Sequence, residues 1–125
     1  FVLEDDEMEI GLGIHGEDGV RKGKLRTADE ITVELMEKIL NEMDGSKKVS
    51  VLVNGLGSTP LMELYIMYRK VHEILGKNNI EIHSSFVGEY VTSLEMNGAS
   101  ITVIKLDDEL QPLLEEETLC SMFRV

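Results

Sequence analysis

The stretch KKVSVLVNGLGSTPLMELYIMYRKVHEILG, Lys47–Gly76, decides the fold. Its opening is short, apolar and β-branched, with Val49, Val51 and Val53, and reads as a strand over about Lys48–Val53 buried on both faces. The turn residues NGLGSTP end that run. Pro60 at the first helical position, with Thr59 as N-cap, then opens a helix that stops at Gly76. The helix is apolar around most of its girth. Leu61, Leu64, Tyr65 and Tyr68 form one stripe, while Met62, Ile66 and Met67 fall off it. Such a helix is expected to be buried by more than one neighbour, the sheet on one side and a second domain or subunit on the other. NIEIHSSFVGEY follows, with Ile80, Ile82 and, less regularly, Phe86 alternating as in a strand. Strands joined by a helix of this length pair in parallel.

Upstream, TADEITVELMEKILNEMDG is a second helix. Thr27 and Glu30 make a capping box, Ile31, Leu35, Ile39, Leu40 and Met43 lie on one face, and Asp44-Gly45 closes it. Before it, MEIGLGI alternates Met8, Ile10, Leu12 and Ile14 with Glu9, Gly11 and Gly13, which predicts a strand over Met8–Ile14. Glu17–Arg26 has mixed charge and no stripe, and reads as a loop. Downstream, VTSLEMNG fits a helical turn or a strand end, and ASITVIKLD is a β-branched strand. DDELQPLLEEE suits a short helix with acids in its first turn, limited by Pro112. TLCSMFRV carries no readable pattern. The order predicts one α/β domain over 1–125: a mixed, largely parallel β-sheet covered by helices, with one antiparallel neighbour near the end.

A chain of 125 residues fits a single core, and 42% hydrophobic with 29% charged residues is ordinary for a globular domain. The formal charge of −12 repels nucleic acid and anionic membrane, so neither is expected as a partner. No apolar run approaches the roughly 20 residues that span a bilayer. The opening FVLEDDE lacks the basic region of a signal peptide. Because the chain begins with Phe1, it is expected to be part of something longer. The lone Cys120 excludes an internal disulfide framework, fits a reducing cytosol, and, followed by Ser121 and Met122 near the terminus, has no local support as a nucleophile.

Gly11-x-Gly13-x-x-Gly16 has the spacing of a dinucleotide fingerprint, but Glu17, Asp18 and Gly19 follow it and no helix is expected before Thr27. A fingerprint needs helix amides at its last glycine, so a cofactor is not expected here. The same glycines clear space around His15. An imidazole with an ordinary pKa of about 6.5 is a competent neutral nucleophile. Glu17 is placed to orient the ring through one nitrogen and leave the other free. On residues alone, a surface histidine beside flexible glycines is the stronger reading. His72 reads as solvated or half-packed, and His83 has no ligand at zinc spacing, so no metal site is expected. The loop Gly55–Thr59 reads as a tight strand-to-helix turn, with an anion site at the helix start as the alternative.

LGIHGEDGV, VSVLVNGLGSTPLMELYI and VGEYVTSLEMNGASITVIKLDDEL occur in an order and spacing that resembles the second half of the substrate-binding subunit of dihydroxyacetone (glycerone) kinases, over roughly Glu9–Leu110. The resemblance implies that His15, in the matching GIHGE motif, attacks the carbonyl of dihydroxyacetone and holds it as a hemiaminal through Nε2. Covalent capture selects short-chain ketones over glycerol, which has similar hydroxyls but no electrophile. The resemblance also implies a cytoplasmic phosphotransferase of glycerol metabolism and a homodimer. It implies no cofactor in this chain, with ADP or ATP and Mg held by a nucleotide-binding partner subunit or domain.

This sequence departs from that pattern at Asp18, where the family usually has proline, and at its ending EEETLCSMFRV. The resemblance makes 1–125 the C-terminal domain, with the N-terminal domain and its acid–base residues absent. Ending at Val125 favours the multi-subunit, phosphotransferase-linked form, and the isolated chain is expected to be inactive. A non-catalytic paralogue that binds the ketone and acts as a regulatory co-activator is the alternative, and a ligand-free interaction domain is a third reading.

Overall fold

The computed structural model describes residues 2–13, 15 and 17–121. Its elements are β1 (Glu7–Ile10), β2 (Arg21–Lys24), α1 (Ala28–Asn41), β3 (Lys48–Gly57), α2 (Leu61–Lys77), β4 (Glu81–Gly88), β5 (Asn97–Lys105) and α3 (Leu110–Glu115). The architecture is a mixed α/β domain. β3 is the central strand of a three-stranded sheet in the order β4-β3-β5, parallel to β4 and antiparallel to β5. β1 and β2 form a separate antiparallel ribbon.

The β3–α2–β4 unit is the one that the opening stretch predicts. Val49, Val51 and Val53 project from β3 into a core completed by Leu64, Met67, Val71 and Leu75 of α2 and Met36 of α1. Successive core residues of α2 are three or four apart, the spacing that keeps one helical face on the sheet. The stripe expected for α2 is therefore rotated. Met67 is buried, whereas Leu61 and Tyr65 stand exposed beside Met62 and Ile66. In α1 the most buried residues are Thr32 and Met36, with Leu35, Ile39, Leu40 and Met43 packed around that contact. Its capping box is formed in both directions, Thr27 Oγ1 accepting from the amide of Glu30 and a Glu30 carboxylate oxygen from the amide of Thr27.

Several boundaries differ from expectation, each for a physical reason. The first strand ends at Ile10 because Gly11 turns the chain with a φ of +78°; Ile14, expected at its end, lies outside the described residues. Part of the expected loop Glu17–Arg26 is β2. Its Lys24 Nζ donates to the Asp6 carboxylate and its Lys22 Nζ to the carbonyl of Val2, contacts that tie β2 to the chain around β1 with no apolar alternation in β2. β3 runs on through Asn54–Gly57, because β5 supplies Asn97–Ser100 as a ladder partner for those residues. VTSLEMNG is loop until Asn97 begins β5. The N-cap of α2 is Pro60 rather than Thr59, and it makes no side-chain cap. α3 has only six residues, and the Asp107 carboxylate accepts the amides of Glu109 and Leu110 at its start.

The ribbon is tied to α1 by charge. Glu34 receives Arg21 Nη1 at 2.8 Å and also pairs with Arg26. The Arg26 hydrogen bond, with Arg21 and Lys38 nearby, holds the Glu34 carboxyl below the usual carboxylate range. This anchor fixes the base of the loop that carries His15.

Candidate functional site

The loop between β1 and β2 is closed at its base by the amide of Val20 donating to the carbonyl of Ile10 at 2.7 Å. Inside it, the amide of Gly13 donates to the carbonyl of Glu17 at 3.0 Å. Two carboxylates fold onto backbone amides. Glu9 Oε1 accepts from Gly19 at 2.7 Å, and Glu17 Oε2 accepts from His15 at 3.1 Å. The amides of His15 and Gly19 are thus engaged by the protein's own acids, and among the described residues β2, not a helix, follows the glycines. The loop is built to hold side chains.

It holds His15. The His15 side chain is 85% exposed, and its Nδ1 lies 3.5 Å from Glu17 Oε1. Glu17 therefore faces one ring nitrogen and leaves Nε2 as the other. Gly16, the second flanking glycine, lies outside the described residues. Glu9 and Gly19 were not legible as site residues. Only the ten-residue return of the chain brings that carboxylate onto that amide.

The remaining candidates fall elsewhere. His72 is exposed on α2, its ring centroid 6.4 Å from that of Tyr68. His83 sits where the β3–β4 register slips, Val49 opposite Ile82 but Ser50 opposite Ser84, and its Nε2 meets Glu115 Oε1 of α3 at 2.7 Å. Among the described residues, no group of three or more His, Cys, Asp and Glu side chains gathers to hold a metal. No helix among them is long and apolar enough to cross a membrane. At the second glycine turn, Gly57 donates to Thr92 Oγ1 at 3.0 Å and Ser58 to the carbonyl of Met96 at 2.7 Å, so these amides hold the 89–96 loop. Asn54, read from sequence as part of a turn, is buried there. Its oxygen accepts from Tyr90 and Val91, and its nitrogen donates to the carbonyls of Val91 and Gly55.

A family model described as the Dak1 domain matches residues 1–122. The chain belongs to the Dak1 domain family. Its relatives include the dihydroxyacetone-binding subunit of a phosphotransferase-system-dependent dihydroxyacetone kinase from Listeria innocua, 43% identical over 127 aligned residues that cover all of this chain and 38% of that protein. Among solved structures, a dihydroxyacetone kinase operon co-activator superposes with a TM-score of 0.80 at 38% identity, over 87% of this Dak1 chain and 35% of that one. The dihydroxyacetone kinase of C. freundii, in complex with AMP-PNP and Mg2+, superposes with a TM-score of 0.73 at 26% identity, over 91% of this chain and 21% of its own. The Dak1 chain thus spans 38% and 34% of the length of two dihydroxyacetone-binding subunits from Listeria innocua, and 21% and 20% of two erythrulose kinases.

Proposed function

We propose that this Dak1 chain binds dihydroxyacetone covalently through His15, as the C-terminal domain of a kinase's substrate-binding subunit. The observation that carries the proposal is His15 itself, exposed on a closed loop with its Nδ1 facing Glu17. In this reading the Nε2 lone pair adds to the ketone carbon and the carbonyl π pair moves to oxygen. The captured ketone is then held for in-line attack on a phosphoryl donor, so positioning supplies much of the rate. The nucleotide, ADP or ATP with Mg, is held by a nucleotide-binding partner subunit or domain. An N-terminal domain completes the contacts to the sugar hydroxyls, the subunit is a homodimer, and the setting is cytoplasmic. The family membership supports the ketone as ligand, and the binding-subunit relative supports a partner-dependent kinase.

A second reading has its own support. The co-activator fold match favours a protein that binds the ketone and reports it to a partner without phosphoryl transfer. Both readings need His15. The test common to them is capture of dihydroxyacetone labelled with 13C at its carbonyl, with the tetrahedral-carbon signal expected in the wild type and absent from His15→Ala. Adding a competent phosphotransferase partner and the N-terminal domain then separates the two, since only the kinase reading yields dihydroxyacetone phosphate.

A further inference from the structure

Glu17 is 63% exposed, yet its carboxylate is not free to swing. Oε2 accepts the amide of His15, and the Glu17 carbonyl accepts the amide of Gly13. These bonds bring Gly13, His15 and Glu17 together, with the carboxylate lying over Gly13. A Cβ placed on Gly13 would fall 2.7 Å from the Cβ and the Cδ of Glu17, closer than any real contact. Gly13 does not have the left-handed φ of Gly11, so space rather than backbone conformation requires glycine there.

We propose that Glu17 is the positioning residue for His15, and that Gly13 is the residue that admits it. The inference rests on His15 being the ketone-capturing nucleophile. A carboxylate edge beside Nδ1 favours the tautomer with its proton on Nδ1, and so keeps the lone pair on Nε2. During addition the Nε2–carbon bond forms, the carbonyl π pair moves to oxygen, and that oxygen takes a proton from water. The ring is left as an imidazolium, which releases its Nδ1 proton to the resulting hydroxide and restores the water. Glu17 stays ionised throughout. It meets more positive charge in the transition state than in the free ring, so it accelerates addition more than it tightens recognition of the ketone.

The test uses the chain labelled with 15N-histidine, in which long-range proton–nitrogen spectra report the His15 tautomer. The rate of adduct formation is followed separately with carbonyl-labelled dihydroxyacetone. The wild type is expected to hold mainly the Nδ1–H tautomer. Glu17→Gln is expected to lose that preference and to slow adduct formation at least tenfold, with Glu17→Asp recovering part of the rate. Gly13→Ala is expected to reproduce the Glu17→Gln spectrum with the carboxylate still in the chain, an outcome that loss of charge alone does not explain. Unchanged tautomer and rate in both Glu17→Gln and Gly13→Ala would overturn the inference. A wild type that forms no adduct, but whose tautomer still responds to Glu17→Gln, would overturn the ketone reading and leave the positioning intact.

Discussion

The amide of Gly19 donates to Glu9 Oε1 at 2.7 Å, so a carboxylate from β1 caps the far end of the loop that presents His15. Charged acceptors make the stronger class of hydrogen bond, worth about 1.5–3 kcal/mol where water is excluded and less at a half-exposed site. Glu9→Ala is expected to leave the core unfolding transition nearly unchanged while speeding hydrogen exchange at the Gly19 amide about tenfold. Equal protection of that amide in the variant would show that the loop closes without Glu9.

Asn54 is 4% exposed and uses both ends of its side-chain amide to hold the segment after β4. Truncation to alanine leaves the amides of Tyr90 and Val91 and the carbonyl of Val91 without that partner. A loss of about 2–3 kcal/mol is expected in denaturant unfolding of Asn54→Ala. Asn54→Asp should be at least as damaging, because a carboxylate can accept the two amides but cannot donate to Val91. A stability loss below about 0.5 kcal/mol in both variants would contradict the role given to Asn54.

Acid sensitivity follows from the carboxylates on the helices. Hydrogen bonds from Lys77 and Lys70 hold the Glu73 carboxyl down at about 2, and Thr27 holds Glu30 below its usual range. For a carboxylate whose pKa is lowered by folding, the contribution to stability is present above the unfolded value, near 4.5, and is lost as pH falls through the folded value. The melting temperature is therefore expected to fall between about pH 4.5 and pH 2, with Glu73→Gln flattening part of that slope. These groups are solvent-facing, so added salt should weaken the effect. A Glu73→Gln profile that parallels the wild type would remove Glu73 from the account.

The core was legible in the sequence because Val49–Val53 and the capping box at Thr27–Glu30 are local signals that tertiary context reinforces. β2 was not, since it is held by the ladder with β1 and by Lys22 and Lys24 reaching Val2 and Asp6 rather than by any pattern within Arg21–Lys24. The extension of β3 through Gly55–Gly57 was hidden for the same reason: glycines announce a turn, and only the partner strand β5 makes them a ladder. At the site, His15 and Glu17 are neighbours in sequence and could be paired by reading. The Glu9–Gly19 contact and the hub at Asn54 depend on chain return and could not.

The isolated chain is expected not to phosphorylate dihydroxyacetone with ATP and Mg. The capping box of α1 engages the amides of Thr27 and Glu30, the 89–96 loop engages those of Gly57 and Ser58, and a net charge of −12 opposes a triphosphate. Product formed by the purified chain with no other protein present would contradict this.

The most direct test of the central claim is a carbon NMR titration of the chain with dihydroxyacetone labelled at its carbonyl. In the wild type the carbonyl resonance is expected to give way to a protein-bound tetrahedral carbon coupled to a histidine nitrogen, whereas His15→Ala, folded as judged by its amide spectrum, is expected to show the free ketone alone. The same bound signal in His15→Ala, or none in a folded wild type supplied with the N-terminal domain, would contradict it.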